Sequence, residues 1–361
     1  MNNGIRELYI RDYKGIHDLT LSKLEKINII TGNNNSGKTS ILELIYTVDQ
    51  PDAIRKWLLG ARIEGDYSPV TLFEGLNNLF PADKDEKTFS YSFTDSMGKL
   101  NSVDAAGTLI EEQLSQTQIE KINGFMASAK SSRTDLIYRD VHGLQLSIRK
   151  NGEELVNDTV YDFQYRILST PIKKKSNVVY LSPFAHQDFS RYLNEILSNY
   201  EYYGRMIDLL QIFDSDIAGI NAIKSERLHS TSYQLMSKAF GKTLPVSAYG
   251  DGMKKAIVLL GALIEAKDGI LLVDEFETGI HTSAMDKVFK VLLDGAEKLN
   301  VQIFLSSHSE EAINKVLKLE HSMHEQMNLY TLYKHNGKNY VRCLDAAHAV
   351  IARDSYGMEL R

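Results

Sequence analysis

Residues 26–48 read KINIITGNNNSGKTSILELIYTV, an apolar stretch, then a glycine-bounded polar loop, then apolar residues at helical spacing. The octet Gly32 to Thr39, GNNNSGKT, fits G-x-x-x-x-G-K-[ST] in full. Ile27, Ile29 and Ile30 predict a strand over Lys26 to Thr31. Ile41, Leu44, Ile45 and Val48, with Pro51 just beyond, predict the helix that follows. A strand that runs through such a loop into a helix belongs to an α/β chain with a phosphate cradle. Consecutive backbone N–H groups of Gly32, Asn33, Asn34, Asn35, Ser36 and Gly37, with the helix start through Ser40 behind them, can surround phosphate oxygens. Lys38 then places its charge on the β- and γ-phosphates, and the Thr39 hydroxyl can ligate Mg²⁺. The pattern predicts an ATP site.

Bulk properties narrow the class further. At 361 residues the chain exceeds the usual single-domain size, so two lobes or a large insertion are expected. The net charge of −6 excludes a globally basic nucleic-acid footprint, though not a local patch. Cys343 is alone, so no disulfide forms within the chain. The start MNNGIRELYI lacks a signal-peptide core, and no run reaches the roughly 18 apolar residues of a membrane span. These features predict a soluble cytoplasmic protein without a membrane partner.

Alternation marks Ile5 to Ile10 and Leu19 to Leu21 as strands around a Lys14-Gly15 turn. Phe89, Tyr91 and Phe93, then Leu144, Leu146 and Ile148, alternate in the same way, and Asn151-Gly152 and Asn336-Gly337 are hairpin signals. Glu111 to Ala129 reads as a helical insert. Val178 to Leu181 reads as a strand, followed by a mostly helical stretch to about Phe240. Helices are predicted over Gly252 to Ala266 and Ser283 to Leu299, with another from about Ser309. Ile270 to Val273 and Val301 to Leu305 are continuous apolar runs, as buried parallel strands should be. The expected organisation is a lobe over 1–170 with the phosphate loop and an antiparallel β insert, a mostly helical lobe over 171–245, and a lobe over 246–361 with the remaining motifs.

Three patterns extend the site. Ile270 to Val273 leads into Asp274-Glu275. A carboxylate at the strand end can support the metal, and the next can orient or deprotonate the attacking water. Val301 to Leu305 ends in Ser306-Ser307-His308-Ser309, which puts a histidine where open α/β sheets bind ligands. Taken alone, His308 reads better as a histidine that only satisfies local hydrogen bonds at a helix start. After the loop and the Asp-Glu pair, it reads as a γ-phosphate sensor. The segment VSAYGDGMKK places Ser247, Gly250 and Gly252 before a long helix. It suits a second anion-binding helix start, closing on another protomer's nucleotide, or an ordinary glycine-rich helix start, and the pattern leaves both open. Asp214-Ser215-Asp216 has a D-x-D form but lacks a preceding buried strand. Lys173 to Lys175 reads as a solvated loop.

The order of these motifs resembles the ABC-type ATPases of the RecF/SMC/OLD branch, and within it the compact bacterial AAA-family ATP-binding proteins of phage-defence and abortive-infection systems. YKGIHDLTLSKLEKINIITGNNNSGKTSILELI, SAYGDGMKKAIVLL, KDGILLVDEFETGIHTS, VQIFLSSHS and the terminal GMELR carry the likeness. It implies a P-loop NTPase with an ABC-ATPase-like head, a mixed central sheet, an antiparallel β subdomain and a helical lobe. It also implies ATP held between two head-to-tail copies, with Mg²⁺ as cofactor. Lys38 and Thr39 would hold phosphate and metal, Asp274 would support the metal, Glu275 would be the general base and His308 the switch histidine. Ser247, Gly250 and Gly252 would act on the partner copy's nucleotide. Tyr13 and Lys14 match a segment near the base in such proteins. Lys254 and Lys255 stand where relatives often carry arginine, and a lysine offers a point charge in place of a fork. The expected role is regulation or scaffolding of a separate effector, a nuclease or toxin, in antiphage defence. The alternative is a DNA-repair ATPase that clamps DNA. A GTPase switch fares worse, because Asn314-Lys315-Val316-Leu317 lacks the aspartate of N-K-x-D.

Overall fold

The computed structural model describes residues 4–63, 70–123, 138–165, 176–225, 230–239, 241, 243–319 and 321–360. Its centre is a six-stranded mixed sheet. In spatial order the strands are β15 (Lys338–Asp345), β14 (Met327–His335), β3 (Ile27–Gly32), β13 (Gln302–Ser306), β12 (Ile270–Val273) and β8 (Val178–Leu181). Neighbours from β14 to β8 pair in parallel, and β15 closes one edge in antiparallel fashion. Apolar residues point to both faces. Ile29, Leu271, Val273, Ile303 and Leu305 join one core, while Ile30, Ile270, Leu272 and Phe304 join the other. That double burial is why these strands read as unbroken apolar runs.

The first core is filled by α7 (Asp251–Glu265), α8 (Thr282–Lys298) and α9 (Glu310–Leu319), with α5 (Ser190–Leu197) and α6 (Tyr200–Leu210) outside them. Helix α7 is buried over most of its circumference, from Met253 to Ile264. The second core lies under α1 (Lys38–Thr47) and α2 (Ile54–Ala61) and against a six-stranded antiparallel sheet. That sheet runs β2 (Ile16–Leu21), β1 (Ile5–Tyr13), β4 (Thr88–Asp95), β5 (Leu100–Ser115), β6 (Tyr138–Lys150) and β7 (Glu153–Tyr161). One face, with Leu8, Ile10, Phe89, Tyr91, Leu144 and Leu146, is buried, which explains the alternation. Asn151-Gly152 and Asn336-Gly337 both adopt positive φ, the backbone of a tight two-residue hairpin turn.

Two segments differ from the sequence expectation. Glu111 to Ser115 continue β5, paired with Tyr138 to His142 of β6, and helix α4 is confined to Gln116–Ile122. Residues 124–129 lie outside the described region. Helix-prone glutamates and glutamine yield to strand pairing here, and Ser115 starts the helix with a capping box to Gln118. The stretch to Phe240 is helical only as far as α6. Beyond it, β9 (Ile217–Ser225), β10 (Ser230–Ser237) and β11 (Thr243–Pro245) form an antiparallel sheet. Only Ile217, Ile220, Tyr233 and Leu235 of it reach the core, so the period-two signal is weak. Lys173 to Lys175 lie outside the described residues. Asp214 accepts the Asp216 N–H at 3.0 Å, so its carboxylate shapes a local turn.

Gly269 tests the edge of the mixed sheet. A Cβ there would lie 2.1 Å from the Asn177 carbonyl oxygen, which is backbone and cannot swing aside. Gly269→Ala should cost about 1–3 kcal/mol of stability, read as a lower denaturant midpoint. An unchanged midpoint would mean that the start of β12 can separate from residue 177 without loss.

Candidate functional site at the strand ends

The parallel strands end in register. Val273 lies beside Leu305, and Ser306 lies beside Ile30, so the turns after β3, β12 and β13 open on one edge. Gly32 has φ 141°, and a Cβ there would come 2.4 Å from the Leu332 carbonyl oxygen. Asn35 and Gly37 also take positive φ, at 61° and 103°. These angles curl residues 32–37 around the start of α1. That start has no side-chain cap and no acidic residue in its first turn. Its N–H groups thus remain free for an anion. The Ser36 hydroxyl is buried without a partner among the described residues, an orphan donor that a phosphate oxygen would satisfy. Lys38 folds back to donate to the carbonyl oxygens of Gly32 at 2.7 Å and Asn33 at 3.0 Å. Burial lowers its ammonium from the ordinary lysine value, against the pull of Asp274, Glu275 and Glu277.

Asp274 is only 5% exposed and accepts three hydroxyls. Thr39 and Tyr180 donate to Oδ2, each at 3.0 Å, and Ser306 donates to Oδ1. Burial, then the Asp274 charge, holds the Tyr180 phenol far above its usual range, so it stays a donor. Ser306 Oγ also accepts the Glu275 N–H at 2.9 Å. Glu275 itself has φ 45°, a left-handed conformation unfavourable for a residue with a side chain. Phe276, fully buried against Phe289, anchors the turn from inside while the Glu275 side chain stays 41% exposed. The sharp turn sends one side chain inward and presents the carboxylate. His308 Nδ1 lies 3.8 Å from Oε1 of both Glu275 and Glu277, and Ser307 donates to Glu277 at 2.8 Å.

The donor set fits a hard cation. Thr39 and Asp274 present oxygens from neighbouring elements, and the described residues contain no group of three or more His, Cys, Asp or Glu able to hold a metal. Mg²⁺ suits this arrangement, because it commonly takes one or two protein oxygens and fills its shell with water and substrate phosphate.

The structure therefore joins the predicted Lys38, Thr39, Asp274, Glu275 and His308. Ser247 and Gly250 are exposed at the uncapped start of α7. Among the described residues no hydrogen bond links either to residues 32–39. Gly252 packs instead on Phe213 and the Gly279 carbonyl. Tyr13 is withdrawn from any base: it is 1% exposed, edge-on to Phe89, with its hydroxyl on Glu43. Lys14 pairs with Glu43 at 2.6 Å and borders a cleft of about 520 Å³ with Arg62, Phe80 and Lys334. Sequence reasoning gave no site role to Tyr180, Ser306 or Glu277, and weighed Lys255 only as a lysine where relatives often carry arginine. Ser306 and Glu277 stood inside quoted motifs, but nothing local marked their partners. Lys255 is fully buried, and burial pushes its ammonium down to about 8 against the opposing charges of Glu277, Asp274 and Glu275.

A phosphate loop, an Asp-Glu strand end and a third strand end with histidine define an ATPase of the ABC, RecF and SMC-head branch. Residues 128–314, more than half of the chain, match the family described as "AAA domain, putative AbiEii toxin, Type IV TA system", and the chain belongs to that family. The match contains α7, Asp274-Glu275 and His308 and begins after the phosphate loop. A Helicobacter pylori protein named "ATP/GTP phosphatase" is 24% identical, over 86% of this chain and 86% of its own length. The DNA replication and repair protein RecF of Shewanella sediminis is 38% identical over 23% of this chain and only 22% of its own length. An SMC head solved bound to the C-winged helix domain of ScpA superposes with a TM-score of 0.51 at 11% identity, covering 96% of this chain and 99% of that chain. That likeness shows the fold.

Ser306→Ala would strand both the Asp274 Oδ1 atom and the Glu275 N–H. It should cost about 1–3 kcal/mol of unfolding free energy, measured by denaturant titration without nucleotide. A cost near zero would mean that neither bond constrains the turn.

Proposed function

We propose that this chain hydrolyses ATP to ADP and phosphate in a site completed by a second copy, and that it regulates a separately encoded effector in antiphage defence. The observation that carries the ATPase reading is the convergence of Thr39, Asp274, Glu275 and His308 on the edge where the uncapped start of α1 opens. Residues 32–37 and the first turn of α1, through Ser40, bind the phosphates. Lys38 exchanges its two carbonyl partners for phosphate oxygens. Thr39 and Asp274 would hold Mg²⁺, which neutralises phosphate charge when bound. Glu275 takes the proton of a water whose oxygen attacks the γ-phosphorus as the bond to the ADP oxygen breaks. His308, poised between Glu275 and Glu277, contacts the γ-phosphate and reports its presence.

The exposed start of α7, with Ser247 and Gly250 and with Gly252 in its first turn, supports a head-to-tail dimer, because the positive end of the helix dipole suits the phosphate of another copy. The family description, which names a type IV toxin–antitoxin system, supports a role in such a two-part system. No helix among the described residues is long and apolar enough to cross a membrane, and the lone Cys343 suits a reducing cytoplasm. The RecF relative supports a second reading, a clamp on duplex DNA. That reading requires duplex binding with a steep salt slope, and absence of binding at low salt would remove it.

Glu275→Gln should retain ATP binding but lose turnover by about 100-fold or more, so that ATP traps a dimer on size-exclusion chromatography. Full turnover in this variant would take Glu275 out of the base role. Lys38→Ala should lose both nucleotide binding and trapping, and retained binding would contradict the cradle. If the purified chain alone cut nucleic acid or killed cells, the separate-effector reading would fail.

A further inference from the structure

Lys255 is a fully buried lysine whose Nζ has no hydrogen-bond partner among the described residues. Lysines are almost never fully buried unless paired, and an uncompensated buried charge is costly. One carboxylate oxygen in the acidic turn that α7 packs against is in the same condition among the described residues. Glu277 Oε2 is buried and unpartnered, while Oε1 is taken by Ser307. Glu277 is the strongest opposing charge acting on Lys255, ahead of Asp274 and Glu275.

The backbone explains the meeting. Gly252 packs its open side toward the Gly279 carbonyl, so the first turn of α7 lies against residues 277–280. Lys255 follows at i+3, on the same helical face, and is carried beneath the acidic turn. It therefore points into its own protomer, which rules it out as a charge reaching across a dimer. Lys254 is the more exposed of the two and pairs with Asp251 at 3.2 Å.

We propose that Lys255 is a positioning residue that holds the Glu275–Glu277 turn from below, so that α7 and the hydrolytic carboxylate of the same protomer move as one piece. This rests on the ATPase reading above. Through Lys255, the helix whose start faces a second nucleotide sets where Glu275 stands at its own. Glu277 is the link: its charge acts on Lys255, while its Oε1 accepts from Ser307 and lies 3.8 Å from His308.

The experiment measures kcat and KM for ATP, affinity for a fluorescent ATP analogue, and thermal unfolding on the full chain. The variants are Lys255→Met, Lys255→Arg, Glu277→Gln and the double variant Lys255→Met with Glu277→Gln. Lys255→Met should lower kcat about 10-fold or more while KM and analogue affinity stay within about threefold. Its melting temperature should fall, as should that of Glu277→Gln, and recover in the double variant, since each single change leaves the other buried charge uncompensated. Lys255→Arg should restore most of kcat. The double variant should be no slower than the worse single variant, the mark of two residues acting through each other. A kcat for Lys255→Met within about twofold of the parent, or a double variant showing the product of both losses, would overturn the proposal. If Lys255→Met does not fold, loss in Glu277→Gln with recovery in Lys255→Arg supports it, and indifference in Glu277→Gln overturns it. A parent chain without ATP turnover would overturn the ATPase reading and this one together. An active parent with an indifferent Lys255 overturns this one alone.

Discussion

The buried carboxylate of Asp274 is the constraint around which the edge of the parallel sheet is arranged. An ion 5% exposed must be compensated by donors, and here they come from three separate elements. Thr39 arrives on α1, Tyr180 at the end of β8, and Ser306 at the end of β13. Each contact requires the strands to end in step, which the register of β3, β13, β12 and β8 provides. Placing one carboxylate thus aligns the phosphate loop with the Asp-Glu turn.

Strain and charge sharpen that edge. The left-handed backbone of Glu275 persists because Phe276 is locked beneath it and Ser306 accepts its N–H. Lys255 adds a positive charge inside an apolar helix packing, and Lys38 is held by the Gly32 and Asn33 carbonyl oxygens. Lys38 and Lys255 both feel the charges of Asp274, Glu275 and Glu277. That pattern belongs to phosphate chemistry more than to structural ion pairing.

The two cores divide the labour. The core around α1 and the antiparallel sheet carries the phosphate loop, and the core around α7, α8 and α9 carries the exposed glycine turn. The mixed sheet lies between them, with its side chains alternating from one core to the other. The sheet that joins them is buried on both faces, where packing leaves little slack.

Local pattern determined the loop at Gly32 to Thr39, the strands β3, β12 and β13, helix α7, and both Asn-Gly hairpins, because each depends on residues close in the chain. The mixed sheet, the antiparallel subdomain and the helical lobe were legible at the level of class. Strands β9 and β10 were not, since only a few of their side chains touch the core. Nor was the end of β5, where pairing with β6 outweighs helix propensity. The same limit applied to the site. Lys38, Asp274, Glu275 and His308 could be read from strand-end motifs. Tyr180 meets Asp274 across 94 residues, and Lys255 reaches the acidic turn only because α7 packs against it. Sequence alone determined which chemical groups this protein carries at its strand ends. Only the tertiary structure decided which of them share a buried charge, because burial and pairing are properties of the packed chain.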